Sequence, residues 1–498
     1  MEMFEKKEVK AVAALLEGAG FEAYLVGGCV RDLLIGKAPK DWDVATNATP
    51  EEIQKIFLGF AGATADKPAT IYENQFGTVG IKTESEDPTL KIIEVTTYRI
   101  EGKYTDKRHP DEVRFAKTIE EDLSRRDFTV NALAMSLAGG LAGKIIDPFG
   151  GQVDLQKKVI RAVGDPEARF QEDSLRILRA VRFMAQLGFS IDSATEEAMK
   201  KYSGLLEFIS KERIRDEFIK MMGTENAHEG IRLMEKDGVL KFVVPELMEG
   251  VEVGQNKHHI FSVFEHNVRS LQYSVEQNHS LEVRIAALLH DAGKPRSKRG
   301  EGPDCTFYGH QVVGERLALE ILGRLHFPKE MTERIALLVR EHMFVYDPET
   351  VTDAGARRLV RRVGKENLEA LFELREADRI GSGVPKAQPY RLRHLKFRIE
   401  KVSQDPVSAK MLKINGEDII REAGVEPGPK IGFMLSILLE EVLDDPTLNE
   451  RDILIIKVKS LSQLEEKALA EMAKFARKSA DHAQTQIEEE IKKKYFVQ

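Results

Sequence analysis

The chain has 498 residues, of which 42% are apolar, so it is long enough for about three or four domains, each with its own core. Its formal net charge of −8 at pH 7 excludes a protein whose whole surface is basic enough to bind nucleic acid. Any RNA site must therefore be a local basic patch.

The two cysteines, Cys29 and Cys305, are too few for a disulfide framework or a four-ligand zinc site, and they fit a reducing compartment. The segment MEMFEKKEVK is charged and has no apolar signal-peptide core. No stretch approaches the roughly 18 apolar residues that span a bilayer. We therefore expect a cytoplasmic protein that does not enter the membrane.

Strand and helix patterns alternate in the first part of the chain. Residues 8–18 have helical apolar spacing, and FEAYLVGG after them predicts a strand that ends in a glycine turn. Residues 91–100 (KIIEVTTYRI) predict another strand, and GKIIDPFGG (143–151) predicts a closing turn. From about residue 165 the pattern is almost continuously helical. The predicted fold class is α+β, with the first domain boundary near residue 150.

Two aspartates separated by one residue follow the glycine turn in GGCVRDLLIGKAPKDWDVA (27–45). Side chains at i and i+2 of a strand point to the same face, so Asp41 and Asp43 present both carboxylates at one place. Hard oxygen ligands of this kind suit magnesium. The alternative is an ordinary solvated turn, which is the commoner setting for a lone Asp-x-Asp pair.

Other residues of the first strands favour a phosphate site over a solvated turn. Glu94 is the best candidate for a third carboxylate, because an unpaired charge is costly among its apolar and β-branched neighbours. Gly27 and Gly28 allow a triphosphate to approach the backbone N–H groups, and Arg31 on the following helix adds positive charge.

A second polar cluster lies in QEDSLRILRAVRFMAQLGF (171–189). As one helix, this segment would have an apolar face and an opposite polar face carrying Glu172, Asp173, Arg176 and Arg179. Asp173 accepts hydrogen bonds and Arg176 donates them, so together they match the amino group and ring nitrogen of cytosine or adenine, and they mismatch uracil and guanine. The alternative is a surface ion pair, worth at most about 1 kcal/mol.

These motifs together resemble the nucleotidyltransferase superfamily, specifically the class II tRNA nucleotidyltransferases (CCA-adding enzymes) and bacterial poly(A) polymerases. The resemblance implies a mixed sheet with helices, followed by all-helical domains. It implies that Asp41 and Asp43 hold two magnesium ions, that Glu94 is the third carboxylate, and that EDSLR (172–176) selects CTP and ATP in place of a nucleic-acid template.

Two further motifs extend the resemblance. EDLSRRDFTVNALA (121–134) implies that Arg126 and Asp127 contact the triphosphate and the ribose 2′-hydroxyl, and that Asn131 orders the site. Arg125 has an alternative assignment as a solvated partner of Glu121. KERIRDEF (211–218) matches a motif to which we assign a structural role. We also place Arg179 among the nucleotide-binding residues.

The segment TYRIEGKYTDKRHPDEVRF (97–115) matches a flexible loop that family members need when they switch from C to A addition. Enzymes that add only CC lack it, so that class is disfavoured. An enzyme that adds only A, or a poly(A) polymerase, stays open. A more distant alternative is a non-catalytic RNA-binding protein, or a chain whose only activity is hydrolytic.

The second half of the chain contains widely spaced histidines and aspartates. In IAALLHDAGK (285–294) a His-Asp pair ends an apolar helix, which resembles the HD-domain phosphohydrolases. Single histidines of this kind are usually structural, but the wider pattern also resembles that superfamily. It implies metal ligation, with Ni, Mn, Fe or Mg as the ion, by His266, His290, Asp291, His310, His342 and Asp378.

The expected organisation is a nucleotidyltransferase head (1–150), a base-reading and RNA-binding helical neck (151–250), an HD domain (251–385) and a helical tRNA-binding region (386–498). The basic runs 356–365 and 390–401 are candidate phosphate contacts, although each alone is equally consistent with a solvated face. The expected reaction adds CMP, CMP and AMP to a tRNA 3′ end, and the HD domain is expected to hydrolyse phosphorylated or 2′,3′-cyclic RNA ends. The oligomeric state is left open.

Overall fold

The computed structural model describes residues 6–57, 70–72, 77–101, 113–137, 143–255, 260–403 and 412–497. The chain forms two compact units. Unit one comprises Met1–His342 and Glu373–Val384, and unit two comprises Met343–Phe372 and Pro385–Gln498. The predicted domain boundaries at 150, 250 and 385 stay predictions.

The N-terminal part of unit one alternates short helices and strands. In chain order these are α1 (Lys7–Gly18), β1 (Tyr24–Val26), α2 (Gly28–Leu34), β2 (Asp43–Thr46), α3 (Pro50–Phe57), β3 (Thr70–Tyr72), β4 (Thr78–Lys82), β5 (Ile92–Thr97), β6 (Arg99–Glu101), β7 (Val113–Phe115), α4 (Ile119–Ser124), β8 (Ala134–Ser136), β9 (Ile145–Ile146), α5 (Gly151–Lys157) and β10 (Val159–Ile160).

Helices dominate the described residues from there on. They are α6 (Pro166–Glu172), α7 (Leu175–Leu187), the strand β11 (Ser190–Ile191), α8 (Ser193–Tyr202), α9 (Lys211–Met222), α10 (Ala227–Lys236), α11 (Leu240–Val243), α12 (Pro245–Met248), α13 (Val263–Glu276), α14 (Leu281–Leu289), α15 (Lys294–Ser297), α16 (His310–Arg324), α17 (Lys329–Glu341), α18 (Asp353–Val363), α19 (Leu368–Gly381), α20 (Tyr390–Ser403), α21 (Gly416–Ala423), α22 (Pro429–Asp444), α23 (Arg451–Ser462) and α24 (Glu466–Tyr495). None of the helices within the described ranges is long and apolar enough to cross a membrane.

Seven strands form one mixed sheet in the order β3-β4-β5-β2-β1-β8-β9. β2 and β5 are parallel, with Asp43 opposite Glu94, and the other neighbours are antiparallel. Alternating residues of these strands enter the core, among them Val44, Ile93 and Val95, which are fully buried. The predicted mixed sheet and the predicted helical remainder are both confirmed.

The segment 91–100, predicted to be one strand, contains two. β5 ends at Thr97 and β6 begins at Arg99, and β6 pairs with β7 in a separate two-stranded sheet. Tyr98 lies between them, fully buried in a cluster with Val26 and Leu123, and its N–H donates to the carbonyl of Thr46. Tyr98 therefore marks the point where the chain leaves the seven-stranded sheet and begins to pair with β7.

The helices after residue 165 in unit one pack by apolar faces. α7 packs against α9 and α10, and its residues Ile177, Val181 and Ala185 are fully buried. Further along the chain, α13 packs on α14, and α17 packs on both α14 and α16. These contacts bring the ends of four helices together, because the apolar faces fix their mutual positions.

Unit two has its own apolar core. α22 packs against α24, and α21 packs against α23. The core includes Ile419, Met434 and Leu454. α21 begins with a capping box in which the Asn415 and Asp418 side chains accept each other's backbone N–H groups.

Candidate active site

The glycine pair forms the turn that starts α2. Gly27 has φ 75°, and a Cβ there would lie 2.6 Å from the Arg126 Nη1. Only glycine fits both requirements, because other residues rarely adopt this φ and any side chain would displace the guanidinium. Arg126 therefore lies directly over the turn between β1 and α2.

The two aspartates lie where the chain enters β2. Asp43 is the first residue of the strand, and Asp41 lies in the bend before it. Trp42 and Val44 are buried. Asp41 and Asp43 both line a cavity of roughly 1500 Å³. The two carboxylates therefore reach the same space, although the strand itself includes only the second.

Eleven of the twelve residues predicted for catalysis and nucleotide binding line this one cavity. They are Gly27, Gly28, Arg31, Asp41, Asp43, Arg126, Asp127, Asn131, Asp173, Arg176 and Arg179. The structure therefore joins the motifs of the first strands to those near residue 175, which lie some 150 positions away in sequence.

The charge of the carboxylates at this end of the cavity is only partly compensated. Burial raises the pKa of Asp43, Arg126 opposes this rise, and the neighbouring Asp41 adds to it. A cation beside the two carboxylates would remove their repulsion. Two aspartates open to a cavity are oxygen ligands of the type that magnesium prefers, so the donor set fits that ion.

Glu94 lies on β5 directly opposite Asp43 in parallel register, so both side chains leave the same face of the sheet. The expectation that Glu94 sits among apolar neighbours is wrong, because Ile93 and Val95 turn into the core and Glu94 is exposed on the other face. Glu94 is not among the cavity-lining residues of the described chain. Its role as a third carboxylate stays a prediction.

A chain of hydrogen bonds joins α2 to α7 along the cavity wall. Arg31 Nη1 donates to Asn131 Oδ1 at 2.6 Å, and Asn131 Nδ2 donates to Asp127 Oδ1 at 3.1 Å. Arg179 Nη2 lies 2.6 Å from Asp127 Oδ2. Burial alone would raise the pKa of Asp127, but Arg179 and Asn131 outweigh it and lower the pKa to about 2.

The segment 171–189 is not the single helix that was predicted. α6 ends at Glu172 and α7 begins at Leu175, and Asp173 between them has an extended backbone with φ −138° and ψ 102°. Its Oδ1 accepts the N–H of Leu175 at 3.1 Å, so the carboxylate satisfies a free donor at the start of α7. Asp173 and Arg176 are therefore not neighbours on one helical face.

Each member of the proposed base-reading pair has its own partner. Arg176 is buried, not on a polar face, and it donates to Glu172 Oε2 at 2.8 Å and to the Arg125 carbonyl at 3.1 Å. Asp173 Oδ2 accepts from Arg213 Nη2 at 2.7 Å. Arg213, which was given only a structural role, also lines the cavity. The positive charge of Arg213 within KERIRDEF (211–218) was the one sequence signal that could have indicated a place in the site.

Arg125 does not pair with Glu121, its predicted alternative partner. Its guanidinium contacts Asp122 Oδ1 at 2.9 Å. Glu121 instead closes a capping box with Thr118 at the start of α4. The loop proposed for the switch between C and A (97–115) lies largely outside the described residues, which resume at residue 113.

The predicted HD residues gather at the helix ends. Within the described residues, two groups of three ligands have all their ligand atoms within 4.8 Å of one another: His266, His290 and Asp378, and Asp291, His310 and His342. All six side chains are buried. The sequence pattern therefore becomes two adjoining sets of nitrogen and oxygen donors, which suit transition metals.

Backbone carbonyls orient three of these imidazoles. The Nδ1 atoms lie at hydrogen-bond distance from the carbonyl three residues earlier: 2.9 Å for His290, 2.8 Å for His310 and 2.7 Å for His342. An Nδ1–H that donates to a carbonyl leaves Nε2 as the ligand atom. The local backbone thus fixes the tautomer that a metal site requires.

Asp291 lies between the two groups. Its Oδ2 is 3.2 Å from His266 Nε2, and its Oδ1 is 3.3 Å from His310 Nε2. Burial lowers the pKa of His290, but the Asp291 and Asp378 carboxylates outweigh it and raise the pKa to about 10. Burial also lowers the pKa of His342, to about 3. The cluster brings together buried ionisable groups, and the negative charge of its carboxylates must be balanced by a cation or a proton.

Three family models match successive parts of the chain. They are the Poly A polymerase head domain over residues 23–161, the probable RNA and SrmB-binding site of polymerase A over 188–250, and the HD domain over 263–381. The fold and the cavity thus define a nucleotidyltransferase of the polymerase type, joined to an HD domain.

Individual proteins resemble nearly the whole chain. The CCA-adding enzyme of Ligilactobacillus salivarius is 34% identical over 466 residues, covering 93% of this chain and 98% of the relative. The A-adding tRNA nucleotidyltransferase of Deinococcus radiodurans is 33% identical over 434 residues, covering 84% and 91%. The crystal structure of the Bacillus stearothermophilus CCA-adding enzyme in complex with CTP is 27% identical with a TM-score of 0.56, covering 93% and 98%.

The chain belongs to the family of tRNA nucleotidyltransferases that contains the CCA-adding enzymes. The resemblance inferred from the sequence motifs is thereby confirmed, and so is the presence of an HD domain.

The contact between Arg179 and Asp127 is testable through its pH dependence. A folded-state pKa of about 2 stabilises the protein above the unfolded-state pKa near 4, by roughly 2 kcal/mol, and this stability is lost as pH falls from about 4 to about 2. In Arg179→Met the Asp127 pKa should rise above its ordinary value. The melting temperature should therefore be lower at pH 7, and the deficit should shrink as the pH falls towards 2.

Arg179→Lys, which keeps the charge, should retain most of the stability at pH 7. A deficit in Arg179→Met that is constant from pH 7 to pH 2 would show that the ionisation of Asp127 does not depend on this guanidinium. The measurement is thermal unfolding of the three proteins across that pH range.

Proposed function

We propose that this chain adds CMP, CMP and AMP in turn to the 3′ end of tRNA, using CTP and ATP and no nucleic-acid template. The observation that carries the proposal is the shared cavity, in which paired carboxylates, a glycine turn and two polar groups suited to C and A face the same space. The relatives named for C and A addition, and the relative solved with CTP, support it. These substrates are consistent with a cytoplasmic location, which we include in the proposal.

The triphosphate would bind at the turn between β1 and α2. Gly27, Gly28 and Cys29 line the cavity where α2 begins, and Arg31 and Arg126 add two guanidiniums. Guanidinium groups bind phosphate oxygens through paired donors. Asp127 has a carboxylate held by Arg179 and Asn131, and it would accept a hydrogen bond from the ribose 2′-hydroxyl.

The base would be read at the other end of the cavity. Asp173 would accept from the exocyclic amino group of cytosine or adenine, and Arg176 would donate to the adjacent ring nitrogen. Uracil and guanine would place a carbonyl against Asp173, leaving polar groups unpaired. Arg213 would hold the Asp173 carboxylate in position while it does so.

Asp41 and Asp43 would hold two magnesium ions, with Glu94 as the third carboxylate. When bound, these ions supply positive charge for the attacking 3′-hydroxyl and the leaving pyrophosphate. Glu94 is exposed, and its side chain leaves the sheet on the same face as that of Asp43. Its participation is part of the proposal.

An enzyme that adds only the final A is the nearest alternative, because a relative with that name is nearly as similar as the CCA-adding enzymes. A poly(A) polymerase shares the head domain. These candidates have the same metal and base-reading residues, so they differ from our proposal in whether C is incorporated. Family membership disfavours a non-catalytic RNA-binding protein.

The direct test offers purified protein a tRNA that lacks CCA, with labelled CTP and ATP. We expect two C residues and one A per tRNA, and a drop in rate of about a hundredfold or more for Asp41→Ala, because a carboxylate ligand is removed. Asp87→Ala changes a carboxylate that is paired with Lys6 and lies outside the cavity lining, and it should leave the rate unchanged.

Incorporation of A without C would select the A-adding alternative. Full activity of Asp41→Ala would remove the catalytic assignment of the paired aspartates. An equal drop in rate for Asp87→Ala would show that the effect is not specific to the cavity.

We also propose that unit two contacts tRNA through α18. Arg357, Arg358 and Arg361 are exposed along this helix, while Leu359 and Val363 are buried on its inner side. Several guanidiniums on one exposed face can neutralise backbone phosphates. The second basic run, in α20, is more occupied with the protein: Arg398 pairs with Asp353, and Arg393 donates to the carbonyls of Tyr495 and Phe496.

Neutralising Arg358 and Arg361 together to Gln should raise the KM for tRNA about tenfold without changing the KM for ATP. The slope of log affinity against log salt should become shallower by about 1 for each backbone phosphate that is no longer neutralised. A matched double change of the exposed Lys459 and Lys467 to Gln should have little effect. Equal effects of the two double variants would contradict an α18 site.

A second candidate activity belongs to the HD cluster. We propose that His266, His290 and Asp378 hold one metal ion, and that Asp291, His310 and His342 hold another, with Ni, Mn, Fe or Mg as the ion. The contacts of Asp291 with both groups favour this assignment. Bound there, the ions supply Lewis acidity towards a phosphate ester. The proposed substrates are phosphorylated or 2′,3′-cyclic RNA ends.

Metal analysis after equilibration with Mn²⁺ tests this pair of sites. We expect about two ions per chain at the cluster. His342→Gln should keep about one ion, because the first group keeps all its neighbours, whereas Asp291→Asn should keep neither, because the two Asp291 oxygens contact both groups. His394→Gln, in unit two, is the control. Absence of both ions from His342→Gln, or retention of both in Asp291→Asn, would contradict the two-group arrangement.

A further inference from the structure

Asp122 on α4 is a buried carboxylate with no part in the chemistry proposed above. Its side chain is 1% exposed. It accepts hydrogen bonds from three groups: the Arg125 Nε at 2.9 Å, the Arg126 Nη2 at 3.2 Å, and the backbone N–H of Arg99 at 3.3 Å. Those three arginines all line the cavity, whereas Asp122 itself does not.

Arg126, the first of these contacts, lies at the phosphate end of the cavity. Arg126 Nη1 lies over the Gly27 turn, and its charge lowers the pKa of Asp43 against the effect of burial. The Nε of Arg126 is buried and has no hydrogen-bond partner within the described structure. The guanidinium thus keeps an unused donor, while Asp122 fixes the group across the glycine turn.

Arg125, the second contact, is joined to the base end of the cavity, where Arg176 lies. The backbone carbonyl of Arg125 accepts from Arg176 Nη2 at 3.1 Å. The position of the Arg125 backbone therefore helps to set where Arg176 can donate. Asp122 holds the side chain of that same residue, three positions further along the chain.

Arg99, the third contact, belongs to the small sheet formed by β6 and β7. Arg99 is the first residue of β6, and its N–H donates to the same Oδ1 that receives the Arg125 guanidinium. β6 pairs with β7, so the carboxylate also fixes the start of this two-stranded sheet relative to α4. A single buried oxygen therefore joins two elements of the site.

We propose that Asp122 is a positioning residue that couples the phosphate end of the cavity to the base end through Arg126 and Arg125. The inference rests on the proposed function of the cavity. It specifies how the phosphate end and the base end are held at fixed positions relative to each other. Its chemical basis is that a buried carboxylate binds guanidiniums in fixed directions, and that no neutral side chain of the same shape can accept from all of its donors.

The charge of Asp122 is well compensated. Burial would raise its pKa, but Arg126 and Arg125 outweigh that effect and lower it. Asp122→Asn keeps the shape, removes the charge, and turns an amide NH₂ towards one of the arginines. One guanidinium then loses its acceptor and both lose the negative charge that holds them, so this single change should affect both ends of the cavity.

The test measures CTP, ATP and UTP binding by calorimetry and nucleotide incorporation on tRNA lacking CCA. For Asp122→Asn we expect CTP and ATP affinity to fall about tenfold, the usual effect of removing one charge-assisted hydrogen bond, and the preference for CTP over UTP to narrow by a similar factor. A purely structural role would lower the melting temperature without changing the CTP-to-UTP ratio of the folded protein.

The matched control is Asp237→Asn. Asp237 follows α10, its side chain is fully buried with Lys200 Nζ at 3.4 Å, and it lies outside the cavity lining. The Asp237→Asn variant should leave the affinities for CTP and ATP unchanged. Equal affinities in wild type and Asp122→Asn, or equal decreases in the two Asn variants, would overturn the proposal.

If Asp122→Asn does not fold, Arg125→Gln provides the second variant, because that side chain is 15% exposed and tolerates substitution better. It should narrow the CTP-to-UTP preference more than it weakens ATP binding, and an unchanged preference would contradict the coupling. Binding is measured apart from incorporation. A wild-type protein that binds CTP but adds no nucleotide would therefore refute the proposed function and still test Asp122.

Discussion

The compensation of buried carboxylates by guanidiniums is the constraint on which the cavity depends. Asp122 faces Arg125 and Arg126, and Asp127 faces Arg179. A charge removed from water without such a partner would be too costly to keep ionised. The pair of aspartates at the start of β2 is less fully compensated: Arg126 opposes the effect of burial on Asp43, but the repulsion from Asp41 remains, and a cation would relieve it. The difference in compensation separates residues that hold the site together from those proposed to hold metal.

In the HD cluster, helix packing and backbone hydrogen bonds position the side chains. There the apolar packing of four helices brings their ends together, and backbone carbonyls turn three imidazoles inward. The ligand directions are thus set by local backbone geometry, and Lys294 adds a cation 2.6 Å from Asp291. Orientation of ligands by their surroundings is the usual requirement of a metal site.

Sequence patterns were sufficient for the mixed sheet, the helical remainder and eleven of the residues that line the cavity, because glycine turns, alternation and paired acids report directly on local structure. They were insufficient where tertiary contacts decide the outcome. Asp173 breaks a segment with continuous helical periodicity, since its carboxylate caps α7. The predicted strand is divided at Tyr98, where the chain exchanges its partners in the seven-stranded sheet for β7. Arg213 and Asp122 could not be assigned from spacing, since their partners lie on other elements or depend on side-chain direction.

The central claim is that one cavity binds the triphosphate at the Gly27 turn and reads the base at Asp173 and Arg176. A crystal structure of the protein with CTP tests it most directly. The account predicts phosphate oxygens within hydrogen-bond distance of Arg126, and the cytosine amino group within hydrogen-bond distance of Asp173. A base bound away from Asp173 and Arg176, with the triphosphate still at the glycine turn, would contradict it.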